Sequence, residues 1–253
     1  MSSVIRAWRN AALAAVAITV ATTSFAGQLP IPVQGEGQAQ GGRGPGGPGG
    51  RGGGRGAAQA SNLPTSPVAA PLPTVSAEIT GPGAFFETLM KMRSGVTTDQ
   101  FKYETKEYFV SGIANGQPYK TRIVIRKPAD NAKFSGLILA ESMHPSGNPW
   151  VFHFTHLYSM TSGHIGLEIL TSTPAGFAQF NQARYSDLRI EQGQASDILA
   201  QVGALIKSKG AGNPLAGLPI REMVLSGSSA SSGVLINYLP THMVYRLPDM
   251  KPI

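Results

Sequence analysis

The chain has 253 residues, is 42% hydrophobic and carries a formal net charge of +7, so it is long enough to bury a sizeable core. It contains no cysteine, which excludes a disulfide framework, a thiol nucleophile and a thiolate metal site. The positive charge does not indicate a nucleic-acid-binding face, because Arg6, Arg9, Arg43, Arg51 and Arg55 all precede the predicted domain.

Residues 1–26 have the three parts of a secretory signal peptide. Arg6 and Arg9 supply a positive start, residues 11–20 form a short apolar run, and Ser24 and Ala26 provide the small residues of a cleavage site. The apolar run is shorter than the roughly 20 residues that a spanning helix needs. We therefore predict an exported protein, periplasmic or secreted, with an uncleaved anchor as the alternative.

Residues 27–76 are predicted to be a disordered linker. Residues 35–56 are mainly glycine and lack any large apolar side chain, so burial cannot offset the entropy cost of ordering them. Arginine-glycine runs bind single-stranded RNA in some proteins. Because this tract follows an export signal and has no aromatic residues, we expect no nucleic-acid partner. The alternative is a surface-tethered binder of nucleic acid or another polyanion, such as an anionic cell surface.

Strands and helices are predicted to alternate from residue 77 onward. Residues 103–110 and 119–126 show strand periodicity, and the Asn115-Gly116 turn signal between them predicts a hairpin. The later elements are a strand at 135–140, a helix at 150–161, a strand at 165–170, a helix at 190–208, a strand at 222–225 and a helix after Ser229. This order predicts an α/β fold, with a mainly parallel sheet and helices on both faces.

The stretch 223–238 predicts a strand, a tight turn and a helix, with Ser229 at the apex of the turn. Gly227 and Ser231, two residues before and after Ser229, are small enough to allow a sharp turn that exposes the serine hydroxyl. The amide of Ala230 would then face the carbonyl oxygen of a substrate whose carbonyl carbon Ser229 attacks. The alternative is that the Ser229 hydroxyl only caps the helix.

Four segments resemble the α/β-hydrolase superfamily, and more closely a bacterial group of alpha/beta hydrolase domain proteins. They are residues 107–112 with 119–124, 134–147, 183–188 and 227–231. The resemblance implies an α/β-hydrolase-like fold in which Ser229 is the nucleophile of acyl transfer from a small ester, without cofactor or metal. It also implies a second oxyanion donor in the loop after an earlier strand, where the backbone amides of Met143 and His144 are the candidates. No chemistry is assigned to residues 183–188.

The chain departs from this family beside the serine. Members tend to have Glu-Ser-Gln-Ser there, whereas Ser228 and Ala230 flank Ser229 in this chain. Members also tend to have a tryptophan and an asparagine in the earlier loop, where this chain has Ser142 and His144. These differences indicate a different substrate pocket or an impaired activity.

The general base and the acid are missing from the pattern. In this fold the acid and then the histidine follow the serine, but His242 precedes Asp249 and lies about 20 Å from Ser229 along a continuous helix. We therefore expect residues 77–253 to be the N-terminal portion of the domain, incomplete at its C-terminus and inactive alone. An unpaired edge strand would then favour aggregation. The alternative is a noncatalytic exported binding or scaffold module.

His153 and His156 have the i, i+3 spacing of a helical metal-binding pair. A third ligand at matching spacing is not evident, so we interpret them as ordinary histidines on a helix that packs against the sheet.

Overall fold

A computed structural model describes residues 64–89, 95–172, 176–210 and 212–253, all within the compact unit Gly54–Ile253. The predicted signal peptide, the glycine-arginine tract and most of the predicted linker lie outside the described residues. Among those described, no helix combines the length and the apolar character needed to cross a bilayer.

The described residues contain strands and helices in the alternating order that the sequence predicts. The strands are β1 (Val68–Ala69), β2 (Thr74–Val75), β3 (Tyr103–Ala114), β4 (Gln117–Pro128), β5 (Leu137–Ser142), β6 (Ile165–Ile169), β7 (Glu222–Ser226) and β8 (Tyr245–Arg246). The α-helices are α1 (Trp150–Ser162), α2 (Gly176–Phe180), α3 (Gln182–Tyr185), α4 (Ala195–Lys207) and α5 (Ala230–Val244). Strands β1 and β2 precede Ala77, the expected start of the domain.

The predicted hairpin is present, and its strands are longer than the periodicity indicated. β3 and β4 pair continuously from Tyr103 opposite Pro128 to Ala114 opposite Gln117. Asn115 and Gly116 have φ values of 50° and 72°, the pair of positive values that closes a two-residue hairpin. Because so short a turn needs no flanking loop, the strands continue up to it.

The main sheet has the strand order β2-β3-β4-β6-β5-β7. β5 is parallel to both β6 and β7, whereas β4 pairs with β6 in the antiparallel direction. The predicted α/β class is confirmed, and the sheet is mixed because the hairpin adds antiparallel strands to a parallel half. β5 and β7 end at the same edge, with Glu141 opposite Ser226.

Helices α4 and α5 cover the apolar face of the sheet. The buried side chains that the strands contribute to this core include Ile123, Ile125, Ile138, Ala140, Ile165, Leu167 and Ile169. α4 supplies Ile198, Val202 and Ile206 to the same core. The helix predicted at 190–208 begins only at Ala195, since Gly193 has a φ of +88°, which α-helical backbone does not adopt.

Buried charges lie on the opposite face. Arg122 and Arg184 both form ion pairs with the fully buried Glu107, and the Tyr185 hydroxyl donates to the same carboxylate at 3.0 Å. Arg184 also donates to the carbonyl of Ile79 at 2.7 Å, so the cluster fastens the segment before β3 to the sheet. The 183–188 motif therefore has a structural role.

Helix α1 covers the same charged face beside β6. Its Phe152 packs where a side chain at Gly166 would collide, since a Cβ there would lie 2.4 Å from the ring. Glu141, only 3% exposed, accepts hydrogen bonds from the amides of Val151 and Phe152, each at 3.0 Å. Burial raises the pKa of Glu141 to about 7, although these two bonds and the charge of Arg126 act in the opposite direction.

The raised pKa of Glu141 predicts a pH-dependent stability. The native state holds the Glu141 proton up to about pH 7, whereas the unfolded chain releases it near 4.5, so the free energy of unfolding should fall as the pH rises between these values. From pH 4.5 to pH 7 the free energy of unfolding of the wild type should fall by about 3 kcal/mol relative to that of Glu141→Gln, which has no proton to release at this position. Urea unfolding of both proteins at pH 4.5 to 8 measures the difference, and parallel stability curves would contradict the prediction.

Candidate active site

The backbone of Ser229 joins β7 to α5 in a conformation that residues other than glycine rarely adopt. Its φ is 53° and its ψ is −121°. The residue is exposed, and its side chain makes no capping hydrogen bond to α5. The hydroxyl is therefore presented to solvent at the end of the sheet, and the structure does not show the helix cap that was the alternative interpretation.

Gly227 and Ser231 allow the chain to turn so sharply. A Cβ at Gly227 would lie 2.8 Å from the carbonyl oxygen of Ser231 and 2.9 Å from the Cδ1 atom of Leu235, so only glycine fits there. The buried hydroxyl of Ser231 donates to the Ser228 carbonyl at 2.8 Å and accepts from the Ser228 amide at 2.9 Å. The sequence pattern indicated that Ser231 is small, but it did not reveal this bonding.

Ala230 is the first residue of α5. The first amides of an α-helix have no partner within the helix, and the helix dipole makes its N-terminus favourable for negative charge. The structure thus places the Ala230 amide directly after Ser229 and at the electropositive end of a 15-residue helix.

The two amides predicted as the second oxyanion donor are already hydrogen-bonded. The Met143 amide donates to the Ile169 carbonyl at 2.9 Å, which continues the pairing of β5 with β6 by one residue. The His144 amide donates to the Asn148 carbonyl at 3.3 Å. The sequence located the loop after β5, but it could not show that strand pairing extends into the loop and occupies Met143.

The rest of this loop is a compact turn. The His144 ring nitrogen Nδ1 lies 2.8 Å from the Ser146 hydroxyl and also accepts from the Ser146 amide at 3.1 Å. Asn148 donates to the same hydroxyl at 2.8 Å, and Gly147 has a φ of +85°. The His144 ring lies 6.3 Å from the ring of Trp150, the first residue of α1. The loop therefore has internal bonds of its own.

Neither titratable candidate after Ser229 is hydrogen-bonded to it in the described structure. α5 is continuous, so His242 lies near its far end, about 20 Å from Ser229, as predicted. Its Nδ1 atom is 3.2 Å from the Tyr238 hydroxyl. Asp249 is exposed and pairs with Lys251 at 2.8 Å.

Among the described residues, no group of three metal-ligating side chains is present.

A model of the family described as "Alpha/beta hydrolase domain" matches residues 68–246. No curated protein matches the chain.

Two solved structures illustrate the structural likeness. A cold-adapted esterase from an Arctic intertidal metagenomic library is 11% identical, with a TM-score of 0.31, over 56% of each chain. An acetyl xylan esterase from Paenibacillus sp. R4 is 13% identical, with a TM-score of 0.31, over 56% of this chain and 47% of that one. The chain thus covers about half the length of these proteins.

The family match extends from β1 to β8 and includes the Ser229 turn, so it covers every strand that positions the candidate site. This chain belongs to the alpha/beta hydrolase domain family.

Proposed function

We propose that this chain supplies the nucleophile and the oxyanion site of an exported serine hydrolase that acts on small acyl esters. Ser229 Oγ attacks the acyl carbonyl carbon and loses its proton to a base, and the base passes that proton to the oxygen of the departing alcohol. Water, deprotonated by the same base, then attacks the acyl-enzyme and releases the acid, and Ser229 regains its proton. The observation that carries this proposal is the strained, exposed and uncapped Ser229 at the end of β7.

The strain at Ser229 favours a functional role over a structural one. A non-glycine residue in this backbone region costs about 1–3 kcal/mol, and such residues cluster at active sites. A serine that served only as a helix cap would hydrogen-bond to the first turn, and Ser229 does not. The strained φ falls on Ser229 and not on its neighbour Gly227, whose backbone could adopt it without strain.

We propose the Ala230 amide as the first oxyanion donor and the His144 amide as the second. The 3.3 Å bond that His144 makes to Asn148 is longer than the usual 2.9–3.0 Å of an N–H···O bond, so less is lost when it opens. The shorter bond of Met143 belongs to the sheet, which makes Met143 the weaker candidate.

We propose that the acid and the histidine come from a part of the domain beyond this chain. β7 is the last strand in the order of the main sheet. Apolar side chains on β7 and on the following helix α5 are strongly exposed, namely Val224 at 46%, Ile236 at 67%, Leu239 at 60% and Met243 at 68%. Continuation of the domain past β7, with further strands and helices, would provide elements to cover such side chains. An open genomic reading frame after Ile253 that encodes an acid and then a histidine is the expected finding, and an immediate stop codon would contradict it.

A noncatalytic exported binding module is the second candidate. The observation that favours it is that His242 lies about 20 Å from Ser229 along α5 and that Asp249 pairs with Lys251 within the described structure.

Export itself rests on residues 1–26, and fractionation of cells that express the protein tests it. Recovery of the protein in the periplasm or medium supports export.

Ser229 should be the residue that reacts with an acyl or phosphonyl reagent. In the protein expressed from the complete reading frame, Ser229→Ala should abolish fluorophosphonate labelling and reduce p-nitrophenyl acetate hydrolysis at least 1,000-fold, since the nucleophile is lost. Ser228→Ala is the matched control, and it should retain most of the labelling. A wild-type protein that is not labelled would support the noncatalytic module.

Replacing Ser229 by glycine should relieve the backbone strain. We expect the free energy of unfolding of Ser229→Gly to be about 1–2 kcal/mol higher than that of Ser229→Ala. Alanine is strained at a φ of 53°, whereas glycine adopts this φ without strain. Chemical unfolding of the two variants measures this difference. Equal stabilities would show that the turn is relaxed in solution and would remove the main support for the proposed function.

A further inference from the structure

The carboxylate of Glu141 connects the two ends of the loop between β5 and α1. Glu141 lies on β5 directly before the loop, whereas Val151 and Phe152 lie in the first turn of α1 directly after it. Glu141 Oε2 accepts the Val151 amide and Oε1 accepts the Phe152 amide, each at 3.0 Å. One side chain thus closes the base of loop 142–149.

The same residue lies beside the candidate nucleophile turn. Glu141 is the register partner of Ser226, the last residue of β7, and neighbouring strands lie about 4.8 Å apart. Loop 142–149 therefore leaves the sheet next to Gly227, two residues before Ser229. A shift of this loop would move the His144 amide relative to the Ser229 hydroxyl.

Packing alone does not account for a carboxylate at this position. Glu141 is 3% exposed, and burial of a charged group is unfavourable unless hydrogen bonds replace the lost water. The nearby Arg126 forms its ion pairs with Glu168 and Glu87. Above about pH 7, where Glu141 is ionised, the bonding partners of its carboxylate are therefore the two amides of α1, whose N-terminal dipole favours a negative charge.

We infer that Glu141 is a positioning residue, which clasps loop 142–149 at its base and so holds the His144 amide beside Ser229. This inference rests on the proposed function for the purpose of the loop, but the clasp itself does not depend on activity. A glutamine at this position keeps the size of the side chain and loses one of the two acceptors, because its NH₂ group would face an amide donor.

Hydrogen exchange measured by mass spectrometry on the full-length protein tests the clasp. In Glu141→Gln, exchange of loop 142–149 and of the amides of Val151 and Phe152 should become about tenfold faster, and exchange in the β3–β4 hairpin should stay unchanged. Glu168→Gln is the matched control, because Glu168 is equally buried on the adjacent strand but bonds to Thr88 and Arg126. In Glu168→Gln, loop 142–149 should exchange at the wild-type rate.

The rate of fluorophosphonate labelling at Ser229 provides the second measurement. It should fall about tenfold in Glu141→Gln relative to Glu168→Gln. Unchanged loop exchange in Glu141→Gln would overturn the clasp, and a faster-exchanging loop with unchanged labelling would overturn its link to Ser229. Absence of labelling in the wild type would instead refute the proposed function, while exchange would still decide the clasp.

A second variant covers the case in which Glu141→Gln does not fold. Val151→Pro keeps the carboxylate and removes one of its two donors in the first helical turn, where proline is tolerated. It should loosen the loop in the same way. A fully protected loop in this variant would contradict the inference.

Discussion

The candidate site depends on one steric constraint, the close approach of the end of β7 to the start of α5. A side chain at Gly227 would collide with the backbone of Ser231, so the strand can pass directly into the helix only with glycine at this position. The turn that results forces Ser229 to a positive φ and leaves its hydroxyl exposed. Ser231 then stabilises the turn through its two bonds to Ser228. Strain and exposure at Ser229 thus arise from the same short contact.

The two faces of the sheet stabilise the molecule in different ways. The face under α4 and α5 is an apolar core of branched side chains, whose burial supplies most of the driving force for folding. The opposite face holds buried carboxylates, each of which bonds to a different peripheral element. Glu107 fastens the segment before β3 through Arg184, and Glu141 fastens α1. These polar contacts are directional, so they determine where the loops at the edge of the sheet lie.

Several features of the fold could be predicted from local signals. The Asn115-Gly116 turn, the β5 and β7 strands and the helix after Ser229 all follow from patterns within a few neighbouring residues, and the structure confirms them. The start of α4 was misplaced because Gly193 interrupts an otherwise helical pattern. The bond of the Met143 amide to Ile169 could not be read from the sequence, because Ile169 lies on a strand that is distant in sequence, and the role of Met143 as an oxyanion donor stays a prediction.

The sequence by itself determined the class of fold, the position of the serine turn and the lack of any thiol chemistry, because these depend on composition and short-range spacing. Only the tertiary structure decided that Glu107 joins Arg122 to Arg184 and that Glu141 bonds both Val151 and Phe152. Such contacts join residues that lie far apart along the chain or on either side of a loop, and their register is set by strand pairing. The partner of a buried charge cannot be identified from the neighbouring sequence, because the packing that excludes water determines which groups come into contact.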